Sequence, residues 1–376
     1  MIVAGRARES GQVIRSSIEK EASGENRGSF ARNRRDSSGS PVPRPERLEL
    51  TRRARGGVEG MDLVGETIRA ENRIRRHIRE TFLERSPFLS EACGADVYLK
   101  LENLQHTGSF KVRGALSKIL SLTEAERERG VVAASTGNHG AAVAYALSIV
   151  GGSGAVFVTE SAPPTKIEAI RRWGAEVRTH GTDCAETEAH ARKTADKDGL
   201  VYISPYNDPR VIAGQGTIGI ELAGRLDRID AVFVPLGGGG LTSGIAGYLK
   251  SVKSGVKVIG CSPENSQVMI QSVKAGRILD MPSLPTLSDG TAGGVEAGSI
   301  TFELCRDLVD DYIAVTEDEI RGGLRLMIRT HRYLVEGAAA VAVAACLKAP
   351  GRFAGGNVVV VISGANIDAR LLKEIL

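Results

Sequence analysis

The strongest constraint on the fold is a regular alternation of short apolar runs with longer amphipathic segments after Met61. The runs have the length and composition of buried β-strands, and the segments between them carry apolar residues every three or four positions, as helices do. Repeated strand–helix units predict an α/β fold with mostly parallel sheets, and 376 residues suit two domains. The predicted strands are residues 97–101, 131–134, 155–158, 231–234, 256–260, 313–315 and 358–362.

The first 60 residues differ in composition from the rest of the chain. They hold 13 Lys and Arg against 8 Asp and Glu, are rich in Ser, Gly and Pro, and contain one aromatic residue, Phe30. Such a segment buries too little apolar surface to offset the entropy lost on ordering, so we predict that residues 1–60 are disordered. Two alternatives remain: an organelle transit peptide, which the eight acidic residues argue against, and a start assigned too early, with Met61 as the true first residue.

Charge and cysteine content argue against several classes of protein. The net charge is +4, but the basic excess lies within residues 1–60, and the near-neutral remainder argues against a nucleic-acid partner. The uncharged run 140–159 is interrupted by Gly151, Gly152 and Gly154, which predicts a turn between a helix and a strand and no membrane span. Five scattered cysteines without a CxxC pair fit a reduced, cytoplasmic protein without zinc or a disulfide framework.

A run of four glycines follows the predicted strand 231–234 and opens a helix. Consecutive glycines let backbone N–H groups approach an anion closely, and the helix N-terminus adds a positive dipole. The spacing matches neither the dinucleotide pattern GxGxxG nor the phosphate loop GxxxxGK[ST], so it favours a cup for a single phosphate. A tight turn required only for packing is the alternative. The run consists of Gly237, Gly238, Gly239 and Gly240, followed by Leu241.

A second polar loop follows the predicted strand 131–134 and leads into another helix. Hydroxyl groups, an amide and free N–H groups in that place favour a carboxylate or phenolate site, and an ordinary helix cap is the alternative. The histidine of this loop is expected to be structural rather than a catalytic base. The loop consists of Ser135, Thr136, Gly137, Asn138, His139 and Gly140.

Lys111 begins a predicted helix whose apolar face includes Val112, Leu116 and Ile119. A cation there is opposed by the helix dipole, which lowers the pKa of the amine. That placement is unusual for a structural lysine and suits a nucleophilic amine, although a solvated surface lysine is the alternative when the residue is taken alone. Farther along the chain, Ser363 presents a hydroxyl at the end of the predicted strand 358–362.

Taken together and in this order, the motifs resemble those of the fold-type-II pyridoxal-phosphate (PLP) enzymes, and within them the threonine/serine dehydratase and serine racemase family. The resemblance covers the chain from about Met61 to its end. It implies a tryptophan synthase β-like architecture with helices on both faces of the sheets, PLP as the cofactor and a homodimer as the assembly. The matching segments are residues 100–103 (KLEN), 107–115 (TGSFKVRGA), 135–140 (STGNHG), 211–217 (VIAGQGT), 237–241 (GGGGL) and 363–366 (SGAN).

The resemblance assigns a role to each motif. Lys111 would hold PLP as a Schiff base and take the α-proton of the substrate, with Phe110 packed beside it. Asn138 would bond the phenolic oxygen of the cofactor, and Ser363 would face its pyridine nitrogen. The phosphate would lie on Gly237, Gly238, Gly239, Gly240 and Leu241, and the substrate carboxylate among Ser135, Thr136, Gly137, Asn138 and His139.

Two departures from the racemases bear on the reaction. Thr136 stands where serine racemases carry a second catalytic serine; it keeps a hydroxyl but adds a methyl group that restricts its rotation. Racemisation is therefore weakened as a hypothesis, and Thr136 stays a second catalytic candidate. Racemase-like members also bind a divalent cation through two acids, whereas Ser262 and Val268 occupy those positions here, with Glu264 nearby. We therefore predict no metal site.

We predict a PLP-dependent ammonia-lyase that converts a 3-hydroxy amino acid, L-threonine or L-serine, into a 2-keto acid and ammonia by β-elimination. A serine beside the pyridine nitrogen, in place of a carboxylate, makes the ring a weaker electron sink, which favours prompt elimination. One alternative is a racemase for serine or another amino acid. The others are a dehydratase for a more polar 3-hydroxy amino acid, as in hydroxyectoine breakdown, and a PLP-binding sensor without turnover.

The large domain is predicted from residues 61–130 together with 205–376, and a smaller domain from the insertion 131–204. The cofactor would lie in the cleft between them. The expected partner is a small-molecule amino acid, and the expected compartment is the cytoplasm unless residues 1–60 direct the chain to an organelle.

Overall fold

The computed structural model describes residues 61–376, and the predicted disorder of residues 1–60 lies outside the described residues. The described part contains ten strands, which form two sheets. In chain order they are β1 (Leu83–Arg85), β2 (Asp96–Leu101), β3 (Val131–Ala134), β4 (Gly154–Val158), β5 (Glu176–Thr179), β6 (Val201–Tyr202), β7 (Ala231–Pro235), β8 (Lys257–Pro263), β9 (Asp311–Val315) and β10 (Asn357–Ile362).

Fourteen α-helices connect and cover these strands in the same part of the chain. They are α1 (Leu63–Ile74), α2 (Pro87–Cys93), α3 (Lys111–Leu120), α4 (Glu124–Arg129), α5 (Asn138–Val150), α6 (Pro164–Arg171), α7 (Cys184–Asp198), α8 (Pro209–Arg225), α9 (Gly240–Val252), α10 (Val268–Ala275), α11 (Ile300–Leu308), α12 (Glu317–Leu326), α13 (Gly337–Leu347) and α14 (Ala369–Ile375).

The larger sheet has the strand order β1-β2-β10-β7-β8-β9, and all its strands are parallel except β1, which pairs antiparallel with β2. The smaller sheet is fully parallel, with the order β5-β4-β3-β6. Parallel neighbours need crossover connections, and helices supply them here. The predicted α/β class with mostly parallel sheets is therefore confirmed.

The larger sheet is buried on both faces, which explains the continuous apolar run of β10. Val358 and Val360 pack toward the alanine-rich helix α13, while Val359 and Val361 pack toward α8 and α9 on the other face. A strand covered on both sides has no reason to alternate polar and apolar residues. Helix α13 is buried on all sides in turn, as its sequence GAAAVAVAACL requires.

The smaller sheet shares its core with a helix from outside the predicted insertion. Val112 and Leu116 of α3 belong to the same buried cluster as Val156 of β4 and Ile170 of α6. Because Lys111 is the first residue of α3, the catalytic candidate is anchored to the smaller sheet through this helix. All four strands of that sheet lie within residues 131–202, and the domain boundaries themselves stay a prediction.

All seven predicted strands are present, with ends displaced by at most three residues. The pattern missed β1, β5 and β6, which are edge strands of the two sheets. Edge strands carry exposed polar residues and are short, so they leave no apolar run in the sequence. The predicted turn near residue 151 is also confirmed, because α5 ends at Val150 and Gly151 follows with φ +65°. Within residues 61–376, no helix combines the length and the apolar character that a membrane crossing needs.

Candidate active site

One cavity of about 1110 Å³ lies where the loops after β3, β7 and β10 meet the N-terminus of α3. These loops follow the C-terminal ends of parallel strands, which is the usual position of a ligand in an α/β fold. The cavity brings together the site residues predicted from sequence, although they are more than 250 positions apart in the chain at the extremes. They are Phe110, Lys111, Ser135, Thr136, Gly137, Asn138, His139, Gly237, Gly238, Gly239, Gly240, Leu241 and Ser363.

The amine of Lys111 is held in the cavity by the backbone. Its Nζ donates a hydrogen bond of 2.9 Å to the carbonyl of Pro205 and lies 5.3 Å from the ring centre of Phe110. Burial lowers the pKa of Lys111 to about 8, although the carboxylate of Glu336 acts in the opposite direction. The alternative of a solvated surface lysine is therefore wrong, and burial contributes most to the lowered pKa that the sequence analysis attributed to the helix dipole.

The glycine run forms a concave loop of unpaired backbone donors. The N–H groups of residues 237–241 have no acceptor among the residues that the structure describes, and α9 begins at Gly240. Side chains have no room there, since a Cβ atom on Gly238 would lie 2.5 Å from the Tyr206 ring and one on Gly237 would lie 2.8 Å from the Thr291 carbonyl. Unpaired N–H groups at a helix N-terminus form an anion site.

Asn138, the first residue of α5, is fixed by two side chains from the far end of the chain. Its Nδ2 donates to both carboxylate oxygens of Glu336, at 3.0 and 2.8 Å, and its Oδ1 accepts from Nδ2 of Asn366 at 2.6 Å. Glu336 is buried, and burial raises its pKa to about 7. From sequence, Glu336 is interpreted most simply as a charge at the N-terminus of an alanine-rich helix, with a position under the cofactor as the alternative. Its contact with Asn138 is not visible in the sequence, because the two residues are 198 positions apart.

The imidazole ring of His139 is hydrogen-bonded within the protein. Its Nε2 lies 2.8 Å from the carbonyl of Ile203, and the side chain is buried. Burial, assisted by the charge of Lys111, lowers the pKa of His139 to about 3, so the ring stays neutral and Nε2 donates the hydrogen bond. The ring therefore fits the structural interpretation, and a contact of His139 with a substrate would have to use its backbone N–H group.

Ser363 presents a buried hydroxyl without a protein partner at the end of β10. Its Oγ makes no hydrogen bond within the described part of the chain, and the residue is 1% exposed. Its carbonyl accepts a 3.0 Å bond from the N–H group of Phe110, which ties the end of β10 to the start of α3. Because a buried hydroxyl without a partner is costly, this atom is suited to a ligand that lies in the cavity.

Part of the motif sequence serves structure instead of chemistry. Arg113 is fully buried and donates to Glu102 at 2.8 Å and to Glu221 at 2.8 Å, and Glu221 also pairs with Lys100. This cluster connects β2, α3 and α8, and its Arg113 lies two positions after Lys111. The segments 100–103 and 107–115 thus contribute a buried ion cluster as well as the amine.

Comparisons with known proteins agree with this site. Residues 74–364 match the family described as pyridoxal-phosphate dependent enzyme. The chain belongs to this family. Its cofactor is PLP, and the cavity described above contains both the lysine and the anion-binding loop that such a cofactor requires.

Among the relatives of this PLP enzyme, the L-threonine ammonia-lyase of Thermotoga maritima is 44% identical over 307 residues, which cover 82% of this chain and 76% of the relative. The processed threonine deaminase isoform 2 of Solanum lycopersicum is 33% identical, with a TM-score of 0.81 over 85% of this chain and 94% of that one. Maize serine racemase is 29% identical, with a TM-score of 0.79 over 83% of this chain and 95% of that one.

Proposed function

We propose that this protein is an ammonia-lyase that converts L-threonine to 2-oxobutanoate and ammonia. The observation that carries the proposal is the partly buried amine of Lys111, which has a pKa of about 8 and faces the same cavity as the unpaired N–H groups of the glycine loop. The sequence relative with a threonine ammonia-lyase activity in its name supports the choice of reaction and substrate.

The residues in the cavity fit PLP at four of its groups. The unpaired N–H groups of residues 237–241 suit the phosphate, the amine of Lys111 suits the aldehyde, and the unpartnered Oγ of Ser363 suits the pyridine nitrogen. We assign the second N–H of the Asn138 amide to the phenolic oxygen, with the first N–H shared between the two oxygens of Glu336. Each group of the cofactor thus corresponds to a protein atom that lacks a partner or has a donor to spare.

The residues of the chain divide the reaction between them. Bound PLP supplies an electron-withdrawing ring that stabilises negative charge at the α-carbon of the substrate. The Nζ atom of Lys111 takes the α-proton, which its lowered pKa makes feasible because a share of the amine is neutral near pH 8. The N–H groups at the start of α5 and the hydroxyl of Thr136 hold the substrate carboxylate at the positive end of the helix dipole.

The overall reaction balances without a further reactant. The α-proton and the β-hydroxyl leave as one water, and hydrolysis of the released product by one water gives 2-oxobutanoate and ammonia. No oxidant or reductant is needed. The task of the protein is to hold the carboxylate, move one proton at the α-carbon and keep bulk water away until the hydroxyl has left.

Keto-acid release from L-threonine by the PLP-loaded protein tests the proposal. We expect release that disappears in Lys111→Ala and persists in Lys274→Ala, a matched control at an exposed lysine of α10. Release by Lys111→Ala at the wild-type rate would contradict the role of Lys111. A protein that binds PLP but releases no keto acid from threonine or serine would overturn the ammonia-lyase assignment.

A racemase is the second candidate, because maize serine racemase shares the fold at 29% identity and Thr136 places a hydroxyl in the cavity. The two reactions are separated by chiral analysis of L-serine incubations. The lyase proposal expects pyruvate to form faster than D-serine. The reverse order would favour the racemase.

We further propose that the enzyme also accepts L-serine and forms a homodimer in the cytoplasm. Two exposed apolar side chains support a dimer face: Phe82 is 70% exposed and Leu334 is 47% exposed, and the neighbouring Tyr333 donates to Glu84 at 2.6 Å, which brings the two segments together. Light scattering tests this face. It should give the dimer mass for wild type and for the control Leu284→Glu, and the monomer mass for Phe82→Glu. A dimer of Phe82→Glu would contradict this face.

The proposed cytoplasmic location is supported by the cysteines. All five are free, as in reducing compartments.

A further inference from the structure

A chain of four hydrogen-bonded polar groups lines the cavity. The Nδ2 atom of Asn366 donates to the carbonyl of Thr107 at 2.9 Å and to Oδ1 of Asn138 at 2.6 Å. The Nδ2 atom of Asn138 donates in turn to the carboxylate of Glu336 at 3.0 and 2.8 Å. The chain therefore runs from a backbone carbonyl to a carboxylate through two amides.

The Thr107 carbonyl at one end of this chain can only accept hydrogen bonds. The Glu336 carboxyl group at the other end can only accept them in its ionised form, which dominates above its pKa of about 7. Asn366 must therefore turn its NH₂ group toward Thr107, and Asn138 must turn its NH₂ group toward Glu336. An Asn side chain that is otherwise free to rotate by half a turn is left with one satisfied orientation.

The backbone builds a place for the carboxylate. The N–H group of Glu336 donates to the carbonyl of Gly364 at 3.0 Å, and the side chain is 3% exposed. A Cβ atom on Gly364 would lie 2.5 Å from Oε1 of Glu336, so a larger residue at 364 would displace the carboxylate. The space that the carboxylate of Glu336 occupies is therefore available because residue 364 is a glycine.

We propose that Glu336 is a positioning residue that holds the amide of Asn138 in the one orientation that donates to the phenolic oxygen of PLP. The proposal rests on the cofactor role given to Asn138 above. One N–H of the amide, shared between the two oxygens of Glu336, accounts for the contacts of 3.0 and 2.8 Å and leaves the second N–H for the cofactor. In the flipped orientation Oδ1 would face the phenolic oxygen, and two acceptors would be opposed in a buried site.

Titration of the apoprotein with PLP, followed by its absorbance, tests this inference without any turnover. We expect Glu336→Gln to weaken PLP binding about tenfold. The amide of Gln can accept from or donate to Asn138, so the charge that favours the donating orientation is lost and only the Thr107–Asn366 end of the chain still selects it. Gly364→Ala should weaken binding in the same direction by displacing the carboxylate. Glu91→Gln, at an exposed position of α2, is the matched control and should bind as wild type does.

A double-mutant cycle separates positioning from general damage. If Glu336 acts through Asn138, the double variant Glu336→Gln with Asn138→Ala should bind PLP within about twofold of Asn138→Ala alone. Losses that multiply would overturn the proposal, as would wild-type affinity in Glu336→Gln. Weak binding by Asn138→Ala together with wild-type binding by Glu336→Gln refutes this inference and leaves the proposed function intact. Thermal unfolding of each apoprotein identifies variants that bind poorly because they are misfolded.

Discussion

Burial shifts the pKa values of three of the ionisable side chains that line the cavity. It lowers the pKa of Lys111 to about 8 and that of His139 to about 3, and it raises the pKa of Glu336 to about 7. In each case the charged form is disfavoured. Near neutral pH the cavity therefore contains a lysine with a neutral fraction, a neutral imidazole and a carboxyl group close to its midpoint.

The pH dependence of covalent PLP capture follows from the pKa of Lys111. The neutral amine is the nucleophile, so capture rises with pH and levels off above the pKa. We expect a midpoint near pH 8 for wild type, measured as PLP fixed to the protein by borohydride after short incubations at each pH. A midpoint near 10.5, the ordinary lysine value, would contradict the burial of this amine.

Ser363 offers a test that separates apoprotein from holoenzyme. Its Oγ has no partner in the described part of the protein, so Ser363→Ala should leave the unfolding free energy of the apoprotein unchanged or raise it. PLP affinity should fall about three- to tenfold, because one hydrogen bond to the cofactor is lost. Thermal unfolding with and without PLP measures both effects. An apoprotein that loses several kcal/mol would mean that the hydroxyl serves the fold.

At the scale of single elements, the loop between β7 and α9 depends on the absence of side chains. Gly239 adopts φ +88°, and Cβ atoms at 237 and 238 would collide with Thr291 and Tyr206. The same closeness that excludes side chains lets the N–H groups point into the cavity. The conformation of this loop therefore depends on glycine at these positions and not on a pattern of apolar residues.

Gly238→Ala should weaken PLP binding by at least about tenfold, because a Cβ atom 2.5 Å from the Tyr206 ring moves the loop or the ring. Gly224→Ala is the matched control: that glycine lies inside α8 with no heavy atom within 4 Å of the added Cβ. The control should bind PLP normally and gain up to about 1 kcal/mol of stability from helix propensity. Equal PLP affinity in the two variants would contradict the anion role of the loop.

At the scale of the whole molecule, the buried ion cluster around Arg113 joins elements that are distant in sequence. Glu102 follows β2, Arg113 lies in α3 and Glu221 lies in α8. Burial alone would lower the pKa of Arg113, but the two carboxylates outweigh it and the pKa is raised. The cluster therefore fixes the helix that carries Lys111 against the larger sheet.

Arg113→Met should cost about 3–5 kcal/mol of unfolding free energy, because two carboxylates would stay buried without their shared cation. Arg85→Met removes an ion pair with Asp96 in which both side chains are 50% exposed, and it should cost less than about 1 kcal/mol. Urea unfolding measures both. A loss below about 1 kcal/mol in Arg113→Met would show that the cluster contributes little to the fold.

Much of the fold could be predicted from sequence because buried parallel strands and amphipathic helices produce recognisable patterns of apolar residues. The apolar run of β10 and the glycine loop before α9 are visible as patterns, since burial on both faces and close backbone approach each require particular residue types. The motif order also led to the family and to PLP. The short edge strands β5 and β6 show no such pattern, because their side chains are exposed or only half-buried.

What the sequence determined by itself is therefore local: which segments form strands and helices, which loop lacks side chains, and which lysine begins a helix. The tertiary structure decided what these residues meet. The pairing of Asn138 with Glu336, the bond from His139 to Ile203 and the ion pair of Arg113 with Glu221 join residues that are 64 to 198 positions apart. No local pattern encodes such contacts, because burial and hydrogen-bond geometry arise only when the two sheets and their helices are packed together.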